Sequence, residues 1–179
     1  MTDTEQLRVV LRAQAGDRDS IETLLRALQQ PLRPYISGLV GLTSVDDVLQ
    51  EALFQIWRDL RWLREPELLR PWSYRIASRC SFKWLKRNRR PLQADHDTFS
   101  VEEIPTPNRE ELQLFTTADE FLEMLSPASR AVLVLHYLHE RSLEEVAAIL
   151  EISSGTAKSR LAYGLSRLRE FINKKGVKQ

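Results

Sequence analysis

The sequence predicts an all-α protein made of two small helical domains joined by a flexible acidic linker. Only six glycines occur in 179 residues, and Leu, Arg and Glu, which favour helices, are frequent. In most segments apolar residues recur at the three- and four-residue spacing of one helix face. Prolines and acids dominate one longer segment near the middle of the chain. We therefore expect a first domain at 1–92, a linker at 93–115 and a second domain at 116–179.

Composition limits the class of protein. Apolar residues make up 42% of the chain and charged residues 28%, with a formal net charge of +1, as in an ordinary globular protein. Cys80 is the only cysteine, which excludes an intramolecular disulfide and a cysteine-rich zinc site. The N-terminus lacks a signal-peptide pattern, and no apolar run approaches the ~20 residues of a membrane span. We expect a cytoplasmic protein.

Enzyme chemistry is not predicted. The chain shows no Ser/His/Asp set, no glycine-rich phosphate loop and no paired acids in a plausible pocket. His96 and His139 have no ligand-like companions and are interpreted as surface residues, whereas His136 falls within a predicted helix. We therefore expect no catalytic residues, no metal site and no cofactor.

The first domain begins with two predicted helices. Residues 4–14 have a helical apolar face, and Asp19 or Ser20 is a candidate N-cap for the next helix. Pro31 and Pro34 are expected to disturb that second helix. The apolar stripe nevertheless continues beyond them.

The helix predicted from Val45 to about Leu60 has two faces. Ser44 is its expected N-cap, and the apolar stripe that follows is its expected core face. A second side carries large aromatics beside charges: Asp47, Gln50, Glu51, Phe54, Trp57 and Arg58. Such a mixture suggests a protein-binding surface. The alternative is that Phe54 and Trp57 pack on a neighbouring helix of the same domain.

The next helix, from Trp72 to about Arg90, carries a basic stripe. Residues 61–71 are expected to form a turn or loop, with Pro71 at the first helical position. The candidate residues at helical spacing are Trp72, Arg75, Arg79, Lys83, Lys86 and Arg87, and the stripe continues to Arg90. No acid occurs from Pro71 to Ala94, and Trp72, Tyr74, Phe82 and Trp84 are interleaved. Cations track phosphates and aromatic rings stack on unpaired bases. The alternative is a solvated basic face.

The second domain ends in a predicted helix-turn-helix. Ser126-Pro127 begins one helix, Ser142 with Glu145 forms a capping box for the next, and Ser153 caps the last. The first turns of that last helix carry small and basic residues that can reach base edges and phosphates: Ser154, Thr156, Lys158, Ser159 and Arg160. An αα-hairpin that only packs is the alternative.

Four segments, in order, resemble one protein family. They are GDRDSIETLL near residue 16, DDVLQEALFQIWRDL at 46–60, RPWSYRIASRCSFKWLKRNRR at 70–90 and LSPASRAVLVLHYLHERSLEEVAAILEISSGTAKSRLAYGLSRLREFI at 125–172. Together they resemble the extracytoplasmic-function (ECF) sigma factors of bacterial RNA polymerase, sigma-70 family. The resemblance covers nearly the whole chain outside the linker.

The resemblance implies a role for each segment. The side of helix 45–60 with Phe54 and Trp57 would dock on the clamp helices of the polymerase β′ subunit. The helix from Trp72, with the loop before it, would melt and read the promoter −10 region as a single strand. The helix-turn-helix would read the −35 duplex, and the polymerase β flap is a further implied contact. Many relatives are held by an anti-sigma factor, and that partner is left open here.

The sequence departs from the family pattern at three places. The loop before Trp72 is usually rich in Gly and Ser, but here it reads EPELL from Glu65. Arg79 and Lys83 stand where the family often has Asn and Asp. Glu151 replaces the Gly common in the helix-turn-helix turn. Because a non-glycine residue at positive φ costs about 1 kcal/mol, a differently shaped turn is expected there.

The function predicted is that of a sigma factor, which gives RNA polymerase promoter specificity and helps open the duplex. One rival is a stand-alone helix-turn-helix regulator, which would not need the aromatic surface on helix 45–60. The other is a helical adaptor whose basic faces bind protein, and it would show no salt-dependent DNA binding.

Overall fold

The protein is represented by a computed structural model, which describes residues 3–88 and 124–175. Every regular element in these two ranges is helical, so the predicted all-α class is confirmed. The chain divides into two compact units, Met1–Trp84 and Leu85–Gln179. The predicted acidic linker, 93–115, lies outside the described residues, as do both of its boundaries. Over the described ranges, none of the helices combines the length and apolarity that crossing a membrane requires.

Four helices lie in the first part of the chain: α1 (Asp3–Gln14), α2 (Arg18–Val40), α3 (Val45–Asp59) and α4 (Leu69–Arg87). The N-cap of α2 is Asp17, whose carboxylate accepts hydrogen bonds from the backbone N–H of Ser20, at 3.0 Å, and from its hydroxyl. The predicted cap at Asp19 or Ser20 is therefore wrong. Ser20 supplies the donors, because an N-cap bonds the backbone N–H of the third helical residue.

The two prolines of α2 do not interrupt it. Pro31 and Pro34 both lie inside one helix that runs to Val40, so the expected disturbance is wrong. Each proline removes one backbone hydrogen bond, at a cost of about 3 kcal/mol. Leu32, Tyr35 and their apolar neighbours on the same face are completely buried, and each such side chain stabilises by about 1.5–3 kcal/mol. Burial of the α2 face outweighs the local cost of the prolines.

Tyr35 joins α2 to α4. Its ring is fully buried and meets the ring of Tyr74 edge to face, with centroids 5.2 Å apart. The Ser78 hydroxyl donates to the Tyr74 carbonyl at 2.7 Å, so its oxygen accepts from the Tyr35 hydroxyl at 2.6 Å. Burial raises the pKa of Tyr35 above its ordinary value. Tyr74 faces the core, and its predicted role as a base-stacking aromatic is wrong.

The connection between α3 and α4 is ordered by two 3-10 turns, Leu60–Trp62 and Pro66–Leu68. The amide nitrogen of Gln14, at the end of α1, donates to the carbonyls of Leu60 at 3.0 Å and Leu63 at 2.7 Å. Helix α4 begins two residues before the expected first position, which makes Pro71 its third residue. A proline is tolerated there because the first N–H groups of a helix have no partner within it.

The described part of the second unit contains α5 (Pro127–Leu133), a π-helical turn (Val134–Leu138), α6 (Leu143–Leu150) and α7 (Ser154–Lys175). All three N-caps predicted for this unit are confirmed, whereas Ser44, the N-cap predicted for α3, makes no side-chain cap hydrogen bond. Ser126 accepts from Ser129 N–H at 3.1 Å, and Ser153 accepts from Thr156 N–H at 3.0 Å. The capping box is closed in both directions. Glu145 N–H donates to the Ser142 hydroxyl at 3.1 Å, and Ser142 N–H donates to the Glu145 carboxylate at 2.8 Å.

Glu151 ends α6 in the left-handed conformation, with φ 56° and ψ 44°. The expectation of a differently shaped turn is therefore wrong. The N–H groups of Glu151 and Ile152 both point to the Ala147 carbonyl, which satisfies a carbonyl at the helix end. This end geometry holds although a non-glycine residue there costs about 1–2 kcal/mol.

Helices α5 and α7 approach each other closely at Gly164. A Cβ atom at this position would lie 2.3 Å from Leu133 Cδ1 and 3.0 Å from Leu133 Cγ. Leu133 is completely buried, so its side chain has little freedom to move aside. The absence of a side chain at Gly164 therefore sets the distance between the two helices.

We predict that Gly164→Ala lowers the free energy of unfolding by about 1–3 kcal/mol, because an added methyl group overpacks the α5–α7 contact. Urea unfolding followed by circular dichroism would measure it. Gly155→Ala is the matched control, since Gly155 is exposed and its nearest neighbour would lie 3.8 Å away. Equal stability of the two variants would contradict the close approach.

Candidate protein and nucleic-acid interfaces

An open groove of about 370 Å³ lies between α2 and α3. The groove surface is lined by Leu25, Gln29, Asp46, Leu49, Gln50, Leu53, Phe54 and Trp57. The rings of Phe54 and Trp57 lie 5.7 Å apart at 50°. Phe54 is 51% exposed and Trp57 49% exposed. Packing on a neighbouring helix therefore covers only about half of each side chain.

Most of the polar residues predicted to dock a partner lie beside this groove and do not form its walls. Asp47, Gln50, Glu51 and Arg58 are all exposed, and of these only Gln50 contributes to the groove wall. Arg58 is held along the helix by Asp59, with two nitrogen–oxygen distances of 2.8 and 2.9 Å. This pairing lowers the pKa of the Asp59 carboxyl and raises that of Arg58. The groove surface is thus mostly apolar in its walls and charged at its rim.

Sequence reasoning missed part of the groove. Leu25 and Gln29 come from α2, a helix that the spacing assigned to the core alone. Leu53 was assigned to the buried stripe of α3, yet it is only partly buried and faces the groove. Asp46 pairs with Arg33 of α2. The sequence did contain one indication that Leu53 faces the groove. It directly precedes Phe54, at the border between the two faces of α3.

Helix α4 separates a buried serine-rich side from an exposed basic face. We define the basic face as Arg79, Lys83, Lys86 and Arg87, all of which are exposed. The other predicted members of the stripe, Trp72 and Arg75, are half-buried, and Arg90 lies outside the described residues. The basic face therefore occupies the second half of α4.

Small side chains allow the inner side of α4 to pack closely. Ser73, Ser78 and Ser81 are buried, and each donates its hydroxyl to a backbone carbonyl three or four residues earlier, at 2.7–2.8 Å. Cys80 is also buried, and burial raises the pKa of its thiol to about 11. The thiol stays protonated at neutral pH, so it is not a nucleophile.

The N-terminal end of α7 presents the five residues predicted to read duplex DNA. Ser154 and Lys158 are exposed, whereas Thr156, Ser159 and Arg160 are half-buried. The Thr156 hydroxyl lies 2.8 Å from that of Ser153, and the Ser159 hydroxyl donates to the Thr156 carbonyl at 3.1 Å. Two hydroxyls are thus already engaged within the helix end.

The opposite side of α7 anchors it in the unit. Apolar residues recur along α7 at the three- and four-residue spacing of one helix face, and all of them are buried: Ala157, Leu161, Leu165, Leu168 and Ile172. Helices α6 and α7 are joined by three residues, 151–153, which is the connection length of a helix-turn-helix. With that stripe turned inward, the N-terminal end and outer face of α7 are open to a ligand.

The turn before α6 contains a half-buried imidazole. His139 is half-buried, so the interpretation of it as a surface residue is wrong. Burial, followed by the charge of Arg141, lowers the pKa of His139 to about 4. His139 is therefore neutral at physiological pH and offers no cation to a phosphate. His96 lies outside the described residues, and within 3–88 and 124–175 no cluster of His, Cys, Asp or Glu could hold a metal ion.

Comparisons with known protein families and with known sequences both identify similarity to sigma factors. The family described as "Sigma-70, region 4" matches residues 121–170, of which 121–123 lie outside the described residues. The chain is 32% identical, over 188 residues, to the ECF RNA polymerase sigma-E factor of Escherichia coli K12, covering 96% of this chain and 94% of the relative.

Two solved structures are similar in fold. One holds CnrH in complex with the cytosolic domain of CnrY, with a TM-score of 0.69 and 22% identity over 94% of this chain and 97% of that one. The other holds the sigma factor RpoE in complex with the anti-sigma factor NepR from Bartonella quintana. Its TM-score is 0.64, with 24% identity over 85% of this chain and 96% of that one.

Proposed function

The chain belongs to the ECF sigma factors of the sigma-70 family, and from this premise we propose how its exposed surfaces divide the work of transcription initiation. A sigma factor binds RNA polymerase and directs it to promoter DNA. The groove surface would hold the polymerase, the basic face of α4 would hold a melted strand, and the N-terminal end of α7 would read a duplex. The protein would perform no chemistry of its own and would act in the cytoplasm, where the polymerase is. It would need no cofactor.

The groove surface carries this proposal. Two large aromatic side chains that are half exposed and neighbours in space are a costly feature in a protein with no partner, because apolar area in water destabilises. Protein interfaces typically have aromatic residues at their centre and polar residues around the rim. A stand-alone DNA-binding regulator would have no use for this surface. The polymerase partner proposed for it is the pair of β′ clamp helices.

We predict that the double variant Phe54→Ala/Trp57→Ala weakens binding to core polymerase by at least about tenfold, since aromatic anchors dominate interface energies. Fluorescence anisotropy with labelled full-length protein would measure the affinity. The fold should survive, because half of each side chain is already exposed.

Leu42→Ala is the matched control for this pair. Leu42 is 73% exposed and lies outside the groove, so its truncation should leave polymerase affinity unchanged. If both variants bound polymerase as the unmodified chain does, the groove would not be the docking site.

The N-terminal end of α7 fits a major groove. The first N–H groups of a helix point outward and carry a partial positive charge, which suits a DNA phosphate. Lys158 and Arg160 add full charges, while Ser154 and Gly155 keep the tip narrow. These features support reading of the −35 duplex by Ser154, Thr156, Lys158, Ser159 and Arg160. We propose the β flap as the polymerase contact of this same unit.

We predict that Lys158→Ala or Arg160→Ala lowers affinity for promoter duplex and reduces the slope of log affinity against log salt. The slope should fall by about one unit for each phosphate that the variant no longer neutralises. Lys174→Ala, an exposed cation in the last turns of the same helix, is the control and should change neither quantity. A salt dependence unchanged in all three variants would rule out phosphate binding at the helix tip.

The basic face of α4 suits a single strand. Its four cations are on one exposed side, and the half-buried Trp72 lies near the start of the same helix. Cations follow the backbone of an unpaired strand and aromatic rings stack on its bases. We propose that this helix holds the melted −10 region, with Trp72 and Arg75 completing the surface where α4 begins.

We predict that Arg79→Ala/Lys83→Ala slows formation of the open complex on duplex promoter and has a smaller effect when the promoter is supplied already melted. Permanganate footprinting of unpaired thymines would follow opening. Arg26→Ala removes an exposed cation on α2 and should leave opening unchanged. Opening of the duplex promoter at the unmodified rate would contradict a role of α4 in holding the melted strand.

An anti-sigma factor is a further proposed partner. Both solved structures that share this fold contain a second protein, one of them an anti-sigma factor. Run-off transcription with core polymerase on a genomic promoter library would test the function as a whole. Specific transcripts that depend on the protein support it, and their absence would favour a stand-alone regulator or an adaptor.

A further inference from the structure

A single side chain of α1 is bonded to the connection between α3 and α4, residues 60–68. The amide nitrogen of Gln14 donates to the carbonyl of Leu60 at 3.0 Å and to that of Leu63 at 2.7 Å, partners 46 and 49 residues further along the chain. Only the nitrogen of a side-chain amide can donate, and it carries two hydrogens. The two carbonyls therefore fix which way the amide points, and each can take one of its hydrogens.

The connection has little regular structure of its own. One backbone bond closes each of its 3-10 turns, from Leu63 N–H to the Leu60 carbonyl at 3.1 Å and from Leu68 N–H to the Glu65 carbonyl at 2.9 Å. Turns of this kind are short, and their hydrogen-bond geometry is poorer than that of an α-helix. The bonds from Gln14 restrain the first turn at its start and again at the residue where the chain leaves it.

Helix α1 is held in the first unit by other contacts. Val10 and Ala13 are buried, and the Arg12 guanidinium lies 3.5 Å from the carboxylate of Asp17, the N-cap of α2. The alternative role for Gln14, which is to anchor α1, is therefore already filled by neighbouring residues. The connection gains more from the two bonds, because a buried backbone carbonyl without a partner is costly.

The anchored backbone determines what the connection exposes. Leu60 and Leu63 are buried, whereas Arg61 and Trp62 between them are exposed. The chain then enters α4 at Leu69, which is buried as well. The conformation of the connection thus sets how the chain arrives at α4. A segment that is fixed before it engages a partner loses less conformational freedom than one that must be ordered on binding.

We propose that Gln14 is a positioning residue for promoter opening, because its amide holds the connection before α4 in the conformation that is used when the duplex melts. This inference rests on the proposed function, which assigns the melted −10 region to α4. The new part is the contribution of α1, a helix that has no part in opening in the function proposed above. Gln14 acts through the backbone of the connection and does not itself touch DNA.

Two substitutions separate the hydrogen bonds of Gln14 from the space that its side chain fills. Gln14→Met keeps the length of the side chain and removes both donors. Gln14→Glu keeps the shape and places a carboxylate, which only accepts hydrogen bonds, against two carbonyl oxygens. The defect should therefore be larger in the Glu variant. Ser20→Ala is the matched control, since it removes a buried hydroxyl that donates to Asp17 at the start of α2.

The first measurement is the rate constant of opening, followed by permanganate reactivity with full-length protein and saturating core polymerase on a promoter found by run-off transcription. Partial unfolding of a variant lowers the amount of open complex but not this rate constant, whereas a displaced connection lowers the rate constant itself. We expect Gln14→Met to open the promoter about 5- to 50-fold more slowly, as the loss of two hydrogen bonds predicts. Gln14→Glu should be slower still, and Ser20→Ala should open at the unmodified rate.

Hydrogen exchange in the free protein is the second measurement, since exchange of backbone N–H groups reports local opening. Gln14→Met should speed the exchange of Leu63 and Leu68, whose N–H groups close the two turns, and leave that of α3 unchanged. Unchanged exchange across residues 60–68 would show that the amide does not order the connection, and it would overturn the inference.

Two results of the opening assay would also overturn it. One is an unmodified rate constant in both Gln14 variants. The other is an equal decrease in Ser20→Ala, which would point to a general loss of stability in the first unit. Failure of the proposed function is distinguishable, because it would appear in the unmodified protein: with core polymerase, that protein would open no promoter, and the inference would fall together with the function on which it rests.

Discussion

The buried contact between Tyr35 and Ser78 determines what the first unit can present. It joins α2 to α4 through one hydrogen bond, and the edge-to-face packing of Tyr35 on Tyr74 adds a second contact one helical turn earlier. With two points fixed, the rotation of α4 about its axis is fixed as well. The serine-rich side must face inward, so the cations of the basic face must face water. The position of a charged surface therefore follows from a neutral contact in the core.

The same constraint explains why the aromatics differ in role. Tyr74 is on the inner side of α4 and packs in the core, whereas Phe54, Trp57 and Trp62 are left largely or half exposed. Burial of an aromatic side chain is among the larger stabilising contributions available to a small domain. Aromatic rings that stay exposed to water do not contribute this stabilisation in the free protein. A bound partner can recover it, so exposure, and not aromatic content alone, makes Phe54 and Trp57 candidate interface residues.

Local patterns in the sequence predicted local structure well. The capping box at Ser142, the caps at Ser126 and Ser153, and the buried stripe of α7 depend on residues within four positions of one another, so spacing alone identifies them. Features set by distant contacts were missed. The spacing of residues in the sequence could not show that burial of one face keeps α2 continuous across its two prolines. It also could not show that Gln14 orders the connection before α4. The candidate surfaces show the same difference: faces formed by a single helix were predicted, whereas the wall that α2 contributes to the groove was not.

The two proposed nucleic-acid surfaces differ in the polar groups they can offer. On α4 the serine hydroxyls are turned inward and bonded to the helix backbone, which leaves cations and rings outside. Such groups recognise phosphates and base faces, which carry little sequence information. At the tip of α7, Ser154 and Lys158 are exposed donors on a helix end narrow enough for a major groove. We therefore expect hydrogen-bonding selectivity for base edges to come from α7. From α4 we expect selectivity only through which bases are most easily unstacked from the duplex.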